Sequence, residues 1–203
     1  AVLVEPPRDG ASHTALWRNL YQFLPYKFDP YAHVQVHVIC QAGEEDEVRS
    51  WGSAFTPLTV EATSGAARWN EAVAQLFSDA RDTMYDAILF GGSGSIVDLK
   101  TIEHYLIYLF KHGARMMCAS NFFVTLESGQ ERQGHFWPGL PNAGFTKSFG
   151  FGTCLHRSYV ERLGADLFSD QGGMSEAARG AFQALVTDSD TKRERVMFQC
   201  VAH

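Results

Sequence analysis

The chain has 203 residues, of which 45% are hydrophobic and 20% are charged, a composition typical of globular proteins and unlike that of disordered ones. Its formal net charge of −6 excludes the broad basic surface that a general nucleic-acid binder needs. No apolar run in the sequence approaches the roughly 20 residues of a membrane-spanning helix, and the length favours one domain.

The first 119 residues alternate between strand patterns and helix patterns. Strands are predicted at 2–4, 34–40, 55–60, 85–90 and 115–119, and helices at 12–24, 65–81 and between Asp98 and Gly113. Pro57 indicates an edge position or a bend in the third strand, and the acidic run Glu44 to Glu47 predicts a solvated loop. This alternation predicts a single α/β domain with a mostly parallel central sheet and helices on both faces.

The second part of the chain has a weaker pattern. The segment from Ser120 to Gly152 is rich in Gly, Pro, Asn and aromatic residues, so it is either a functional loop or contains short strands. Helices are predicted at 155–163 and 175–186. The domain therefore divides into residues 1–119, where strands and helices alternate, and residues 120–203, which contain loops and C-terminal helices.

Ligands of parallel α/β sheets bind at the carboxyl ends of the strands, which directs attention to the loops after Val4, Cys40, Phe90 and Ala119. The loop after Phe90 reads Gly91-Gly92-Ser93-Gly94-Ser95, and such small residues let backbone N–H groups approach a phosphate closely. Neither GxxxxGK[ST] nor GxGxxG is present, so a flexible turn explains the loop equally well.

The cysteines are Cys40, Cys118, Cys154 and Cys200, without a CxxC pair or a zinc-type Cys/His spacing. We expect buried, reduced thiols, which favour a reducing, cytoplasmic compartment. Cys118 follows an apolar strand, where a nucleophile could stand with His135 as its base, but a core cysteine explains this position better.

Two further groups could contact a substrate. Aromatic and amide side chains could recognise a sugar or base, or simply pack on the sheet: His135, Trp137, Asn142 and Phe145. Asp170 and Glu176 could deprotonate an acceptor hydroxyl, or be a surface charge and a helix cap.

The sequence resembles nucleotide-diphospho-sugar transferases of the GT-A type. The resemblance is carried by Val4-Glu5-Pro6-Pro7-Arg8, the segment Trp17 to Pro25, Ile88-Leu89-Phe90 with Ser95-Ile96 and Ile102 to Leu106, and Asn142-Ala143-Gly144-Phe145. It implies a nucleotide-sugar donor, with Glu5 and Arg8 near the base or ribose and Gly92, Ser93, Gly94 and Ser95 around the diphosphate. On this resemblance, residues 1–119 are a nucleotide-binding-like half, and residues 120–203 supply acceptor-side loops and C-terminal helices.

The same resemblance implies a divalent cation, Mn²⁺ or Mg²⁺, that bridges the diphosphate. Such enzymes place an Asp-x-Asp-type motif after the central strand, whereas this sequence has no carboxylate there until Asp98. Either the diphosphate is held without a metal ion, or the domain is a non-catalytic scaffold subunit that kept the transferase fold.

The sequence is also similar to the cysteine-dependent amidotransferase and stress-chaperone-like superfamily. Gly91-Gly92, Cys118-Ala119-Ser120, His135 and the segment Thr146 to Thr153 fall in the order found there. Ser120 occupies a position that is normally glycine in that superfamily, and the predicted helix 65–81 fits the sugar transferases better.

Overall fold

The computed structural model describes residues 1–5, 33–78, 85–91, 99–117, 121–125, 131–135 and 152–187. It describes the backbone alone at 99–101, 121–125, 131–135, 183 and 185–187. The predicted helix 12–24 lies outside the described residues.

Six strands form the main sheet, in the order β3-β2-β1-β4-β8-β5. They are β1 (Val2–Val4), β2 (Val36–Cys40), β3 (Phe55–Thr59), β4 (Ala87–Gly91), β5 (Met116–Met117) and β8 (Cys154–His156). Two further strands, β6 (Asn121–Thr125) and β7 (Glu131–His135), pair antiparallel in a second sheet. The segment after Ser120 therefore contains short strands, as one of the two interpretations predicted.

The central strands run parallel, so their carboxyl ends meet at one edge. Val4 lies opposite Val38 on one side and Gly91 on the other, and Cys40 lies opposite Thr59. Among the described strands of this sheet, only β8 runs against this direction, antiparallel to both β4 and β5. The predicted α/β fold with a mostly parallel sheet is confirmed.

The terminal position of β3 accommodates a proline. Proline lacks the N–H that a ladder needs, so within sheets it is confined to edge strands and bulges. Pro57 lies opposite Val38 on the last strand of this sheet, which confirms the predicted edge position.

Helices cover both faces of the sheet. They are α1 (Glu45–Ser50), α2 (Gly65–Leu76), α3 (Leu99–Leu106) with a π-helical turn at Ile107–Lys111, α4 (Arg157–Leu163) and α5 (Glu176–Thr187). α2 begins after Ser64, whose hydroxyl accepts a hydrogen bond from Ala67 N at 3.3 Å, as expected of an N-cap. None of the described helices combines the length and the apolar character of a membrane span.

Alternate strand residues build two cores, one on each face. Leu3, Ile39, Ile88 and Phe90 pack with the apolar sides of α2, α4 and α5. Their neighbours in sequence point the other way, and Val2, Val4, Val38 and Leu89 pack with α1 and α3. The short β1 is thus buried on both faces, which explains why it contains no polar residue.

Two predicted elements are wrong. The acidic run was expected to be a loop, but α1 begins at Glu45, because Glu45, Asp46 and Glu47 stabilise the positive end of the helix dipole and Val48 enters the core. Residues 155–156 were expected to be helical, but they belong to β8, where Leu155 pairs with Ile88 and Met116. The predicted helix 65–81 also ends earlier, at Leu76.

The central position of β8 gives a test of the fold. Leu155 is 0% exposed between two strands, so Leu155→Ala should lower the free energy of unfolding by about 2–5 kcal/mol. Ile107→Ala is the control, since Ile107 is 45% exposed and its truncation should cost about 0.5 kcal/mol or less. Urea unfolding of both variants measures the difference, and equal losses would contradict the placement of β8.

Candidate functional site

The carboxyl edge of the sheet collects the chain segments that follow β1 to β4. Glu5 follows β1, Gln41 follows β2, and Gly91 ends β4. Because β8 is antiparallel, the residues before it lie at the same edge: Gly152 N donates to Phe90 O at 2.7 Å, and Phe90 N donates to Thr153 O at 2.9 Å. This edge is where parallel α/β folds bind their ligands.

Glu5 is held by two residues at the start of α2. Its Oε1 lies 3.0 Å from Arg68 Nε, in an ion pair that is not aligned as a hydrogen bond, and its Oε2 accepts a hydrogen bond from Trp69 Nε1 at 3.0 Å. The two charged side chains are only 9% and 16% exposed, for Arg68 and Glu5 respectively. A buried charge needs a partner of opposite sign, so the pair fixes the end of β1 against α2.

Three aromatic rings lie next to this pair, and we call them the aromatic cluster: Trp69, Phe90 and Phe168. Their ring centroids are 5.0 Å apart for Phe90 and Phe168, 5.7 Å for Trp69 and Phe168, and 6.1 Å for Trp69 and Phe90. These are the distances of favourable edge and tilted contacts. The cluster joins the end of β4, the start of α2 and the loop before α5.

That loop, residues 166–175, folds back on itself, and we call it the hook. Ser175 N donates to Leu167 O at 2.9 Å, and Ser169 N donates to Gly173 O at 3.1 Å. The Ser175 hydroxyl also donates to Asp166 O. Gly172 and Gly173 have φ values of +84° and +77°, a conformation that favours glycine, so the sequence is suited to this turn.

The hook brings one predicted catalytic residue to the edge. Asp170 Oδ1 accepts a hydrogen bond from Ala66 N at 3.3 Å, in the first turn of α2. Glu176 is the first residue of α5 and is exposed, directly after the hook. Their role as bases stays a prediction.

Carboxylates near β2 and β3 hold loops instead. Partial burial raises the pKa of Glu71, but hydrogen bonds from Glu61 N, Ala62 N and the Gln75 amide outweigh it, and the pKa lies below its usual value. The N–H groups of Glu45 and Gly43 and the Thr59 hydroxyl likewise lower the pKa of the Glu45 carboxyl. Such acids are ionised near neutral pH and are poor proton acceptors.

Several predicted residues lie outside the described residues: Arg8, Gly92, Ser93, Gly94, Ser95, Cys118, Trp137, Asn142 and Phe145. His135 ends β7, and only its backbone is described. Of the predicted nucleotide-binding set, Glu5 is therefore placed, and the roles of the others remain predictions.

Arg68, Trp69 and Phe168 also lie at this edge, and none of them is among the predicted site residues. A signal for Arg68 exists, because it stands four residues before Ala72 and eight before Leu76 and so falls on the buried face of α2. A charged residue on an apolar face needs a buried partner. The sequence around Phe168 contains no comparable signal.

The residues at the end of β4 do not fit a divalent cation. Mg²⁺ and Mn²⁺ need oxygen ligands with negative charge, and the sequence from Gly91 to Val97 contains no carboxylate. Across the described part of the chain, no three Asp, Glu, His or Cys residues are grouped closely enough to hold a metal ion.

Comparison with solved structures relates this fold to a glycosyltransferase, TarS of S. aureus. TarS 1–349 in complex with UDP-GlcNAc matches with a TM-score of 0.53 and 14% identity, over 79% of this chain and 46% of that one. TarS 1–349 alone matches with a TM-score of 0.56 and 12% identity, over 88% of this chain and 52% of that one. A third TarS structure matches with a TM-score of 0.59 and 14% identity, over 99% of this chain and 35% of that one.

These comparisons show a glycosyltransferase-like fold. The chain spans about half or less of the length of the TarS structures it matches. No protein-family model and no curated protein sequence matches the chain.

The buried ion pair can be tested by a double-mutant cycle. Glu5→Gln and Arg68→Met should each lower the free energy of unfolding by about 3 kcal/mol, because each leaves the other charge buried without its partner. The double variant should lose less than the sum. Glu161→Gln is the control, because it breaks the ion pair with Arg157 while Glu161 is 53% exposed, and it should cost about 0.5 kcal/mol. Additive losses in the cycle would contradict the coupling.

Thiol reactivity tests the cysteine hypothesis. Burial raises the pKa of the Cys154 thiol to about 12, and burial also raises the pKa of Cys40, with Glu44 and Glu45 adding to the effect. Both thiols stay protonated between neutral and mildly alkaline pH, so iodoacetamide should label them only after unfolding. Peptide mapping by mass spectrometry measures this. The hydrolase hypothesis requires Cys118 to react fast in the folded protein, and slow labelling of Cys118 would leave it without a nucleophile.

Proposed function

We propose that the chain binds a nucleotide-sugar donor at the carboxyl edge of the sheet and transfers the sugar to an acceptor hydroxyl. The observation that carries the proposal is the position of Glu5, fixed by Arg68 and Trp69 at the end of β1, beside the strand that ends at Gly91. The likeness of the fold to TarS, which has been solved in complex with UDP-GlcNAc, supports a nucleotide-sugar as the ligand.

The nucleoside part of the donor would lie near Glu5 and Arg8. A carboxylate accepts hydrogen bonds from ribose hydroxyls. Arg68 and Trp69 hold the Glu5 carboxylate in one position, which favours specific recognition of the ribose. Arg68 also balances the charge of Glu5, so the carboxylate repels an incoming diphosphate less than a lone anion would. The ion pair thus makes the Glu5 carboxylate compatible with an anionic ligand in the same site.

The diphosphate would lie over Gly92, Ser93, Gly94 and Ser95. These residues follow Gly91 directly, and the small side chains allow close contact with backbone N–H groups. Because the end of β4 offers no carboxylates for a cation, we propose that the diphosphate is bound without Mn²⁺ or Mg²⁺.

In the transfer step, the acceptor oxygen forms a bond to the anomeric carbon of the sugar. The bond from that carbon to the diphosphate breaks, and the nucleoside diphosphate leaves with the electron pair. Asp170 or Glu176 would take the proton of the acceptor hydroxyl. His135, Trp137, Asn142 and Phe145 would form the acceptor side of the pocket, with aromatic faces suited to a sugar ring.

Calorimetric titration with UDP-GlcNAc tests the proposal. We expect the wild type to bind equally well with Mn²⁺ and with EDTA. Binding should be about tenfold weaker in Glu5→Gln, which loses the carboxylate that contacts the ribose, and in Arg68→Met, which no longer holds that carboxylate in position. Glu161→Gln should bind like the wild type. Binding that needs Mn²⁺ would contradict the metal-free diphosphate site. If neither UDP-GlcNAc nor any other nucleotide diphosphate binds, the scaffold alternative replaces the transferase proposal.

A further inference from the structure

Asn70 joins α2 to the hook through every polar atom of its side chain. Its Oδ1 accepts hydrogen bonds from Leu167 N at 3.0 Å and Phe168 N at 2.8 Å. Its Nδ2 donates to Asp166 Oδ1 at 2.7 Å and to Phe168 O at 3.0 Å. An amide side chain has two donors and two acceptor lone pairs, so all four are used here.

Contacts within the hook hold it together, so the hook moves as a unit when its contact with Asn70 changes. Phe168 and Met174 face each other in a bridge, and Gly172 N donates to Ser169 O at 2.8 Å, which closes the turn between them. Asn70 holds the first residues of this segment against α2, where the Phe168 ring also contacts Trp69 and Asp170 accepts a hydrogen bond from Ala66 N. Four of the hydrogen bonds between the segment and α2 are made by the Asn70 side chain.

The hook carries Asp170, one of the two carboxylates proposed to take the proton in the transfer step, and the other, Glu176, follows it directly. Phe168 brings its ring to Trp69 and Phe90 in the aromatic cluster, and Asp170 stands at the first turn of α2. The hook ends at Ser175, so it also determines where α5 begins, at Glu176. Asn70 itself hydrogen-bonds the hook and makes none of the described contacts of Glu5.

We propose that Asn70 is a positioning residue, which fixes the carboxylate that accepts the proton of the acceptor while leaving donor binding to Glu5 and Arg68. The inference rests on the proposed function. Displacement of a reacting group by about 1 Å can cost on the order of 100-fold in rate. Loss of this anchor should therefore reduce kcat and leave the donor KM nearly unchanged.

The test uses the hydrolysis of UDP-GlcNAc, with water in place of the acceptor, followed as UDP release. Asn70→Ala removes all four hydrogen bonds, and Asn70→Asp keeps the acceptor but removes the donor and places a charge next to Asp166. Both should lower kcat about 10–100-fold with the donor KM within about twofold of the wild type. Hydrogen exchange at the amides of the hook should become faster in both.

A paired variant keeps the test independent of folding. When Asn70→Asp is combined with Asp166→Asn, donor and acceptor exchange places, and part of the lost kcat and of the lost protection should return. Gln75→Ala is the matched control, because Gln75 also lies on α2 and donates to Thr59 O at 2.8 Å, away from the hook. It should change neither kcat nor exchange in the hook.

Three results would overturn the inference. The first is faster hydrogen exchange at the amides of the hook in the Asn70 variants while their kcat stays at the wild-type value. The second is a loss of donor affinity that matches the loss of kcat, because this would indicate general damage to the site. The third is a wild-type protein that binds neither UDP-GlcNAc nor any other nucleotide diphosphate, which overturns the proposed function and this inference together, and is visible before any variant is made.

Discussion

The parallel pairing of β1 with both β2 and β4 is the constraint on which the site depends. β1 is only three residues long, but it is paired on both sides and buried on both faces. This pairing places Glu5 and Gly91 at one edge, although 86 residues separate them in the sequence. α2 then completes the edge, because Arg68 and Trp69 hold Glu5 and Asn70 holds the hook, so that one turn of helix connects the end of β1 with the loop before α5.

Most of the parallel sheet could be predicted from the sequence, because the strands have strong local patterns. The alternation of apolar residues in β2, the continuous apolar run in β4 and the proline in β3 each indicate one kind of strand. β8 could not be predicted in the same way. It has three residues and continues directly into α4, so its apolar residues fit the helical period, and only pairing with the distant β4 and β5 makes it a strand. The acidic residues at the start of α1 are sufficient to predict a helix there, since carboxylates stabilise a helix N-terminus.

The candidate site was predictable where it follows a strand and unpredictable where it depends on packing between distant elements. Glu5 could be found because strand ends are the usual ligand positions, and Asp170 because it is a carboxylate in a loop. Asn70 gives no such signal, because a lone Asn on a helix is ordinarily a surface residue. Its importance comes from backbone groups almost 100 positions later in the sequence, at Leu167 and Phe168.

The place of β8 in the sheet has a consequence for the order in which the protein can assemble during synthesis. In the described sheet β8 lies between β4 and β5, and β8 leaves the ribosome after both of them. Until then, each of these strands presents backbone N–H and C=O groups on an open edge, which is a template for pairing with another chain. Nascent chains that stop before Gly152 should therefore aggregate or require a chaperone, whereas chains that extend through α4 can close the sheet.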